Sequence, residues 1–159
     1  MKYYIIKNFD LIHYGFDVKD ENGNKIYKIK TLRSFLEVKT VISDMNDKQV
    51  ICIERKKTFL PSYSVFINDS INFDIELKPT FQKRNYLLSN GYRVEGDYRG
   101  FNHILFDDNN QPIVKMKKSF FTQNRKCEID ILDINKTEIA LAVAKVVALP
   151  FAYNPSKNN

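Results

Sequence analysis

The chain has 159 residues, 43% of them hydrophobic and 13% aromatic, and its 25 Lys and Arg outnumber its 19 Asp and Glu to give a net charge of +6. That length is one domain, long enough to bury a core without metal or disulfide staples, and the composition excludes wholesale disorder. The positive excess biases partners toward anions, lipid headgroups or nucleic acid, beside its plainer role of keeping a protein soluble.

The opening Met1-Lys2-Tyr3-Tyr4-Ile5-Ile6-Lys7 has no long apolar region and no small-residue cleavage site, so it does not read as a signal peptide. No apolar run approaches the ~20 residues a spanning helix needs. The expectation is a cytoplasmic protein, at most peripheral to a membrane. Cys52, inside Val50-Ile51-Cys52-Ile53, and Cys127, alternating with Ile129 and Ile131, read as small core residues. Neither has metal-ligand spacing, so no metal or cofactor is expected, and buried thiols suit a reducing compartment.

A hairpin then repeats along the chain. Clusters rich in Asp and Asn begin at Asp20, Asp44, Asn68 and Asp107, each followed by β-branched or aromatic residues and a basic finish. Such clusters make turns, because these side chains tolerate positive φ and bond their own backbone; Asn22-Gly23 is a strong hairpin signal. The flanks alternate: Phe16 and Val18, then Val38, Thr40 and Ile42, then Tyr63, Val65 and Ile67, then Ile71, Phe73, Ile75 and Leu77 point one way. One wet and one buried face is the pattern of an antiparallel sheet. Asp20, Asn22 and Asn24 have the opening spacing of a calcium loop, but Lys25 and Thr31 stand where that loop needs Gly and Glu. They read as turn residues.

Near the end the period changes. Residues 139–149 are apolar on every side except at Lys145, and their alanines favour a helix, expected over about 136–149. Asn135 reads as its N-cap with Glu138 completing a capping box, and Pro150 as its stop. A helix apolar all round must be surrounded, and a sheet with one apolar face surrounds it by closing into a barrel, which also removes the exposed edges. Lys145 then reaches the barrel mouth or an acid, since burial without a partner is costly.

Taken together, these residues resemble the LURP-one-related group of the Tubby C-terminal-like superfamily, which also holds the phospholipid scramblases. The resemblance is carried by Met1-Lys2-Tyr3-Tyr4-Ile5, Asp20-Glu21-Asn22-Gly23-Asn24, Val94-Glu95-Gly96-Asp97-Tyr98-Arg99-Gly100, Lys117-Lys118-Ser119-Phe120-Phe121 and the Ala-rich helix, in that order over nearly the whole chain. Residues 31–37 lack the glycine expected there, and Pro150-Phe151-Ala152-Tyr153 extends the end. The resemblance implies a closed antiparallel barrel around the C-terminal helix, a single domain over 1–153 with a disordered tail at 154–159. Across the superfamily it implies phosphoinositide binding in Tubby proteins and proposed lipid movement in scramblases. This chain has no acylation-type cysteine cluster, so it does not read as a scramblase.

In an up-and-down meander the turns share one rim and the links share the other. The turns hold Asp20, Glu21, Asp44, Asp47 and Asp69; the far ends hold Lys30, Arg33, Arg55, Lys56, Lys57, Lys78, Lys83 and Arg84. The expectation is one acidic and one basic rim. Lys117, Lys118, Arg125 and Lys126 join the basic rim if strand parity is kept between residues 92 and 106; a full turn at 97–102 is expected to flip them away. A basic rim can dock on anionic phospholipid, with Phe59, Leu60, Phe120 and Phe121 dipping into the interface. The plain alternative is that these rings pack under the links and the charges are solvated.

No catalytic constellation assembles. His13 and His103 are far apart, and no HExxH, GxSxG, Walker or GxGxxG motif occurs; Asp97, Asp107 and Asp108 read as turn and strand-end carboxylates. Nucleic acid is disfavoured, because alternation turns most aromatics inward. The reading is a non-enzymatic binding module whose ligand the sequence does not name, with anionic phospholipid or phosphoinositide-like headgroups docking at the basic rim as the candidate and a protein-interaction or structural domain with no small-molecule ligand as the alternative; the sequence does not specify an oligomeric state.

Overall fold

The computed structural model describes residues 1–8, 15–34, 37–68, 70–80, 83–97, 99–119 and 126–149. Twelve strands follow in chain order: β1 (Lys2–Asn8), β2 (Gly15–Lys19), β3 (Lys25–Arg33), β4 (Val38–Ser43), β5 (Gln49–Arg55), β6 (Ser62–Ile67), β7 (Ile71–Thr80), β8 (Lys83–Leu88), β9 (Arg93–Gly96), β10 (Asn102–Phe106), β11 (Pro112–Ser119) and β12 (Lys126–Ile131). A 3-10 turn (Ile134–Lys136) then leads into the helix α1 (Thr137–Val147). Each strand pairs antiparallel with its neighbours, and β1 closes on β12 through Lys2↔Asp130 to Ile6↔Lys126.

The Asp-led turns share one chemistry. Asp20, Asp44 and Asp107 each accept the backbone N–H four residues on through the side chain (Asn24 at 2.8 Å, Lys48 at 2.9 Å, Gln111 at 2.7 Å). The third residue on turns left-handed in each: Gly23 at φ 85, Asp47 at φ 61, Asn110 at φ 68. Only Gly, Asn and Asp adopt that conformation at low cost. The ladder slips beside all three turns, next to Lys19, Ser43 and Phe106, as a turn closed by a left-handed bulge residue requires. The Asp20 carboxylate is thus spent on its own loop. Among the described residues no group of three His, Cys, Asp or Glu could hold a metal ion.

Alternation fills the barrel. Ile5, Val18, Ile29, Ile42, Ile51, Ile53, Val65, Ile75, Val94, Leu105, Met116 and Ile129 are all buried, and so is α1 from Ile139 onward. The helix begins and ends slightly inside its expected bounds. Its N-cap is Lys136, without a side-chain cap, because Asp133 instead caps the 3-10 turn by accepting from the Asn135 N–H; Asn135 does not cap α1, a correction to the sequence reading. Pro150 and the tail lie outside the described residues. Cys127 packs in the interior, while Cys52 stands on the opposite side of β5 from Ile51 and Ile53, with its thiol 3.8 Å from the exposed Glu54 carboxylate. Cys52 is therefore buried on the outer face and is not part of the lumen core.

Candidate functional site

The meander assigns every turn to a rim. Turns at residues 20–24, 44–48, 68–70, 89–92 and 107–111 share one rim with the entry to α1; links at 34–37, 56–61, 81–82 and 97–101 share the other. Lys30 and Arg33 lie toward the link end of β3, Arg55 closes β5, Lys56 and Lys57 follow it, Lys78 lies near the end of β7, and Lys83 and Arg84 open β8. The backbones of all eight stand at the link rim. Asp20, Glu21, Asp44 and Asp47 stand at the turn rim; Asp69 is outside the described residues.

One conditional step is corrected. Residues 97–102 do form a full turn, with the Gly100 N–H bonded to the Asp97 carbonyl at 3.1 Å. It does not send Lys117 and Lys118 away. A second reversal at residues 89–92, closed by the Gly91 N–H to the Leu88 carbonyl at 3.0 Å, restores parity. Lys117 and Lys118 at the end of β11, and the backbone of Lys126 at the start of β12, therefore join the basic rim. Arg125, Phe120 and Phe121 lie outside the described residues.

The rim is not uniformly basic. Asp97 sits in it, with its carboxylate turned into its own loop, accepting from the Phe101 N–H at 2.8 Å and the Asn102 side-chain amide at 2.7 Å. Lys56 is paired to Asp74 at 2.6 Å and Lys78 to Glu76 at 2.8 Å. Lys30, Lys57, Arg84 and Lys117 are exposed and make no ion pair among the described residues.

Phe59 is the sharpest feature of this rim. It stands 102% exposed in the link after Lys56 and Lys57, beside the exposed Leu60, with the Thr58 hydroxyl bonded to the Leu60 carbonyl at 2.6 Å. Leu32, near the end of β3, is exposed as well. The ring does not pack under its link.

At the same rim, strand alternation puts several of these cations in line with the lumen-facing rows. Lys7 continues the face of Tyr3 and Ile5, Arg33 that of Ile29 and Thr31, Arg55 that of Ile51 and Ile53, Arg84 that of Tyr86 and Leu88, and Lys118 that of Val114 and Met116. Lys7 escaped the sequence analysis, although its parity with Tyr3 and Ile5 was legible. His103, 2% exposed, lies on β10 opposite Gly96 and Met116, and its Nδ1 has no hydrogen-bond partner. Burial pushes its pKa down to about 4; Asp97 opposes that shift, and Lys118 and Arg84 add to it. Gly96 is required here: a Cβ would stand 2.7 Å from the His103 ring and 2.8 Å from the Arg84 carbonyl oxygen.

A family model described as LURP-one-related matches residues 1–150. The chain belongs to the LURP-one-related family. A protein from Arabidopsis thaliana of known X-ray structure is similar in fold, with a TM-score of 0.63 at 15% identity over 94% of this chain and 92% of that one. No curated protein matches this sequence. The family and the plant structure agree with the closed barrel read from the hairpin repeat. No helix among the described residues is long and apolar enough to cross a membrane.

Proposed function

We propose that this LURP-one-related barrel is a non-enzymatic binding module that docks its link rim on an anionic phospholipid surface. The observation that carries the reading is Phe59, fully exposed and adjoining Lys56 and Lys57. A fully exposed aromatic on a soluble rim gains nothing from water, whereas burying it in an apolar phase yields about 1.5–3 kcal/mol. Each Lys or Arg beside an anionic leaflet adds about 1 kcal/mol. Lys30, Lys57 and Lys117 supply that attraction without first breaking an ion pair, whereas Lys56 and Lys78 must leave Asp74 and Glu76 or keep them. The apolar tip and the charges cooperate in the manner of an interfacial anchor.

Co-sedimentation with neutral and phosphatidylserine-containing vesicles tests the reading. Binding to the anionic vesicles alone, weakened by salt and lost in Phe59→Ser/Leu60→Ser, is the expected result. Equal binding to neutral vesicles, or binding untouched by that change, refutes the docking surface. No binding at any salt transfers the rim to a protein partner.

A further inference from the structure

We propose that the turn rim carries, between β1–β4 and the first turn of α1, a binding site for an organic polyammonium ion, made by Tyr3, Tyr27, Asp44 and Glu138. The site lies at the opposite end of the barrel from the docking surface and does not depend on it.

Its construction follows from register. Tyr4 pairs with Lys19, and Lys28 with Ser43. One residue further along each ladder, Tyr3 stands opposite Asp20 and Tyr27 opposite Asp44. Tyr3 continues the inward row of Ile5, Asp20 that of Val18, Tyr27 that of Ile29 and Asp44 that of Ile42. Four successive strands therefore finish their inward rows in Tyr, Asp, Tyr and Asp, over an arc of about 14 Å. Glu138, in the first turn of the enclosed helix, acts on both rings. Burial, then Asp20 and Glu138, raise the pKa of Tyr3; burial, then Glu138, Tyr3 and Asp44, raise that of Tyr27.

The polar atoms of this arc lack partners. Tyr3 is only 9% exposed, yet neither its hydroxyl nor that of Tyr27 makes a hydrogen bond among the described residues. Glu138 makes no hydrogen bond or ion pair there either. Asp20 spends both oxygens on its own turn and adds charge alone. Asp44 uses only Oδ1 for its turn, which leaves Oδ2 free. The nearby lysines are engaged elsewhere, Lys25 with Asp17 at 2.8 Å and Lys28 with Asp47 at 3.0 Å. Buried polar groups are normally paired, and acceptors gathered around two phenols call for a cationic donor.

The other half of the rim shows such a donor in place. Lys136 sets its ammonium over the Tyr92 ring at 5.8 Å, and Tyr92, then Asp133 and Asp108, hold its pKa above the ordinary value. Tyr3 and Tyr27 form the counterpart with no lysine of its own. A metal ion does not suit them, because the carboxylates do not converge on one point. Ammonium groups strung along a flexible chain reach Asp44 and Glu138 together and lie against the rings between them. The alternative is that Glu138 merely balances the positive end of the helix. That end carries about +0.5 of a charge, against three carboxylates, so the arc stays negative.

Spermidine and an N-acetylated, C-amidated trilysine are the probes. Each carries three ammonium groups and is titrated calorimetrically into the whole chain at neutral pH and physiological ionic strength. Support is binding of at least one probe that Glu138→Gln weakens about tenfold, as loss of one charge-assisted bond does, and that Tyr3→Phe/Tyr27→Phe weakens several-fold. Glu21→Gln/Asp47→Asn, which removes two exposed charges of the same rim outside the arc, is expected to change it less than about twofold. Thermal unfolding verifies that each variant folds; the Phe pair removes only unpartnered hydroxyls and is expected to melt like the native chain. Absence of binding by both probes overturns the proposal. So does an equal loss in Glu138→Gln and in Glu21→Gln/Asp47→Asn, which is the signature of diffuse charge. At equal probe charge, tighter spermidine identifies a site for a free polyamine, and tighter trilysine a site for lysines of a partner protein.

Discussion

Lys145 donates from Nζ to the carbonyl oxygen of Leu149 at 2.9 Å, so the buried cation of the enclosed helix satisfies a carbonyl just beyond the helix's own end. It is 2% exposed, and burial, with Arg33 nearby, lowers its pKa to about 8 from 10.5. A lysine whose folded pKa is depressed costs stability wherever it is charged. That cost is full below pH 8 and disappears as pH rises from about 8 to 10.5, because the unfolded chain binds the extra proton in that interval. That difference in pKa corresponds to about 3 kcal/mol.

Lys145→Met is therefore expected to raise stability at pH 7 by about 2 kcal/mol, the remainder going to the lost hydrogen bond. The advantage over the native chain shrinks as pH approaches 10.5. Denaturant unfolding of both proteins across pH 7 to 10.5 measures it. The difference between the two is the informative quantity, since Tyr3, Tyr27, Tyr63, Tyr86 and Cys127 have raised pKa values and act with opposite sign in both. A variant less stable at pH 7 would mean that the cation contributes more than its burial costs.

His103 gives the acid-side counterpart. With its folded pKa pushed down to about 4, it stays neutral in the native protein while the unfolded chain protonates near 6.5. Stability is whole above pH 6.5 and falls as pH drops toward 4, by about 3 kcal/mol from this group at pH 4. His103→Gln is expected to remove most of that loss while leaving the losses from depressed carboxylates such as Asp74 and Asp97. Parallel acid titrations of stability in the two proteins would expose any error.

Gly96→Ala places a methyl group against a ring and a backbone oxygen at once. The imidazole can shift but the Arg84 carbonyl is fixed in the ladder, so the change is expected to cost about 1–3 kcal/mol. His103→Ala added to it relieves only the ring contact. Gly23→Ala, with nothing within 4 Å of the added carbon, suffers backbone strain alone at φ +85, about 1–2 kcal/mol. Thermal unfolding of the three variants checks the order; full rescue of Gly96→Ala by the double change would place the whole conflict on the ring.

Both thiols are expected to resist an aromatic disulfide reagent in the folded protein and to react on unfolding. Burial pushes Cys127 up to about 12 and raises Cys52 as well, and only the thiolate attacks. Rapid labelling of one thiol under native conditions would mean that the outer face near Cys52 opens.

Much of this was legible in the residues. The Asp-led turns, the inward rows and the buried helix follow from period and composition, because each local preference agrees with the closed barrel. The reversal at Asn90-Gly91 was as well marked as that at Asn22-Gly23, yet between short strands it was overlooked, which made the parity argument for Lys117 and Lys118 wrong in its step and right in its destination. The Asn135 cap failed because Asp133, two residues earlier, holds the backbone and side-chain N–H of Asn135 itself as the cap of a 3-10 turn. Cys52 misled because burial alone does not say which face of a strand is covered: Val50, Cys52 and Glu54 share the outer one. The exposure of Phe59 was beyond sequence, since alternation does not extend into a link.

The pairing of β1 with β12 has a consequence for synthesis. Lys2 meets Asp130 across the seam, so the barrel's first strand waits for its last, and the helix that fills the interior emerges later still. Until then the apolar face of an unclosed sheet has neither partner nor plug. Such distant contacts make folding slow, and the nascent chain is expected to rely on chaperone cover until its final turn of helix has left the ribosome.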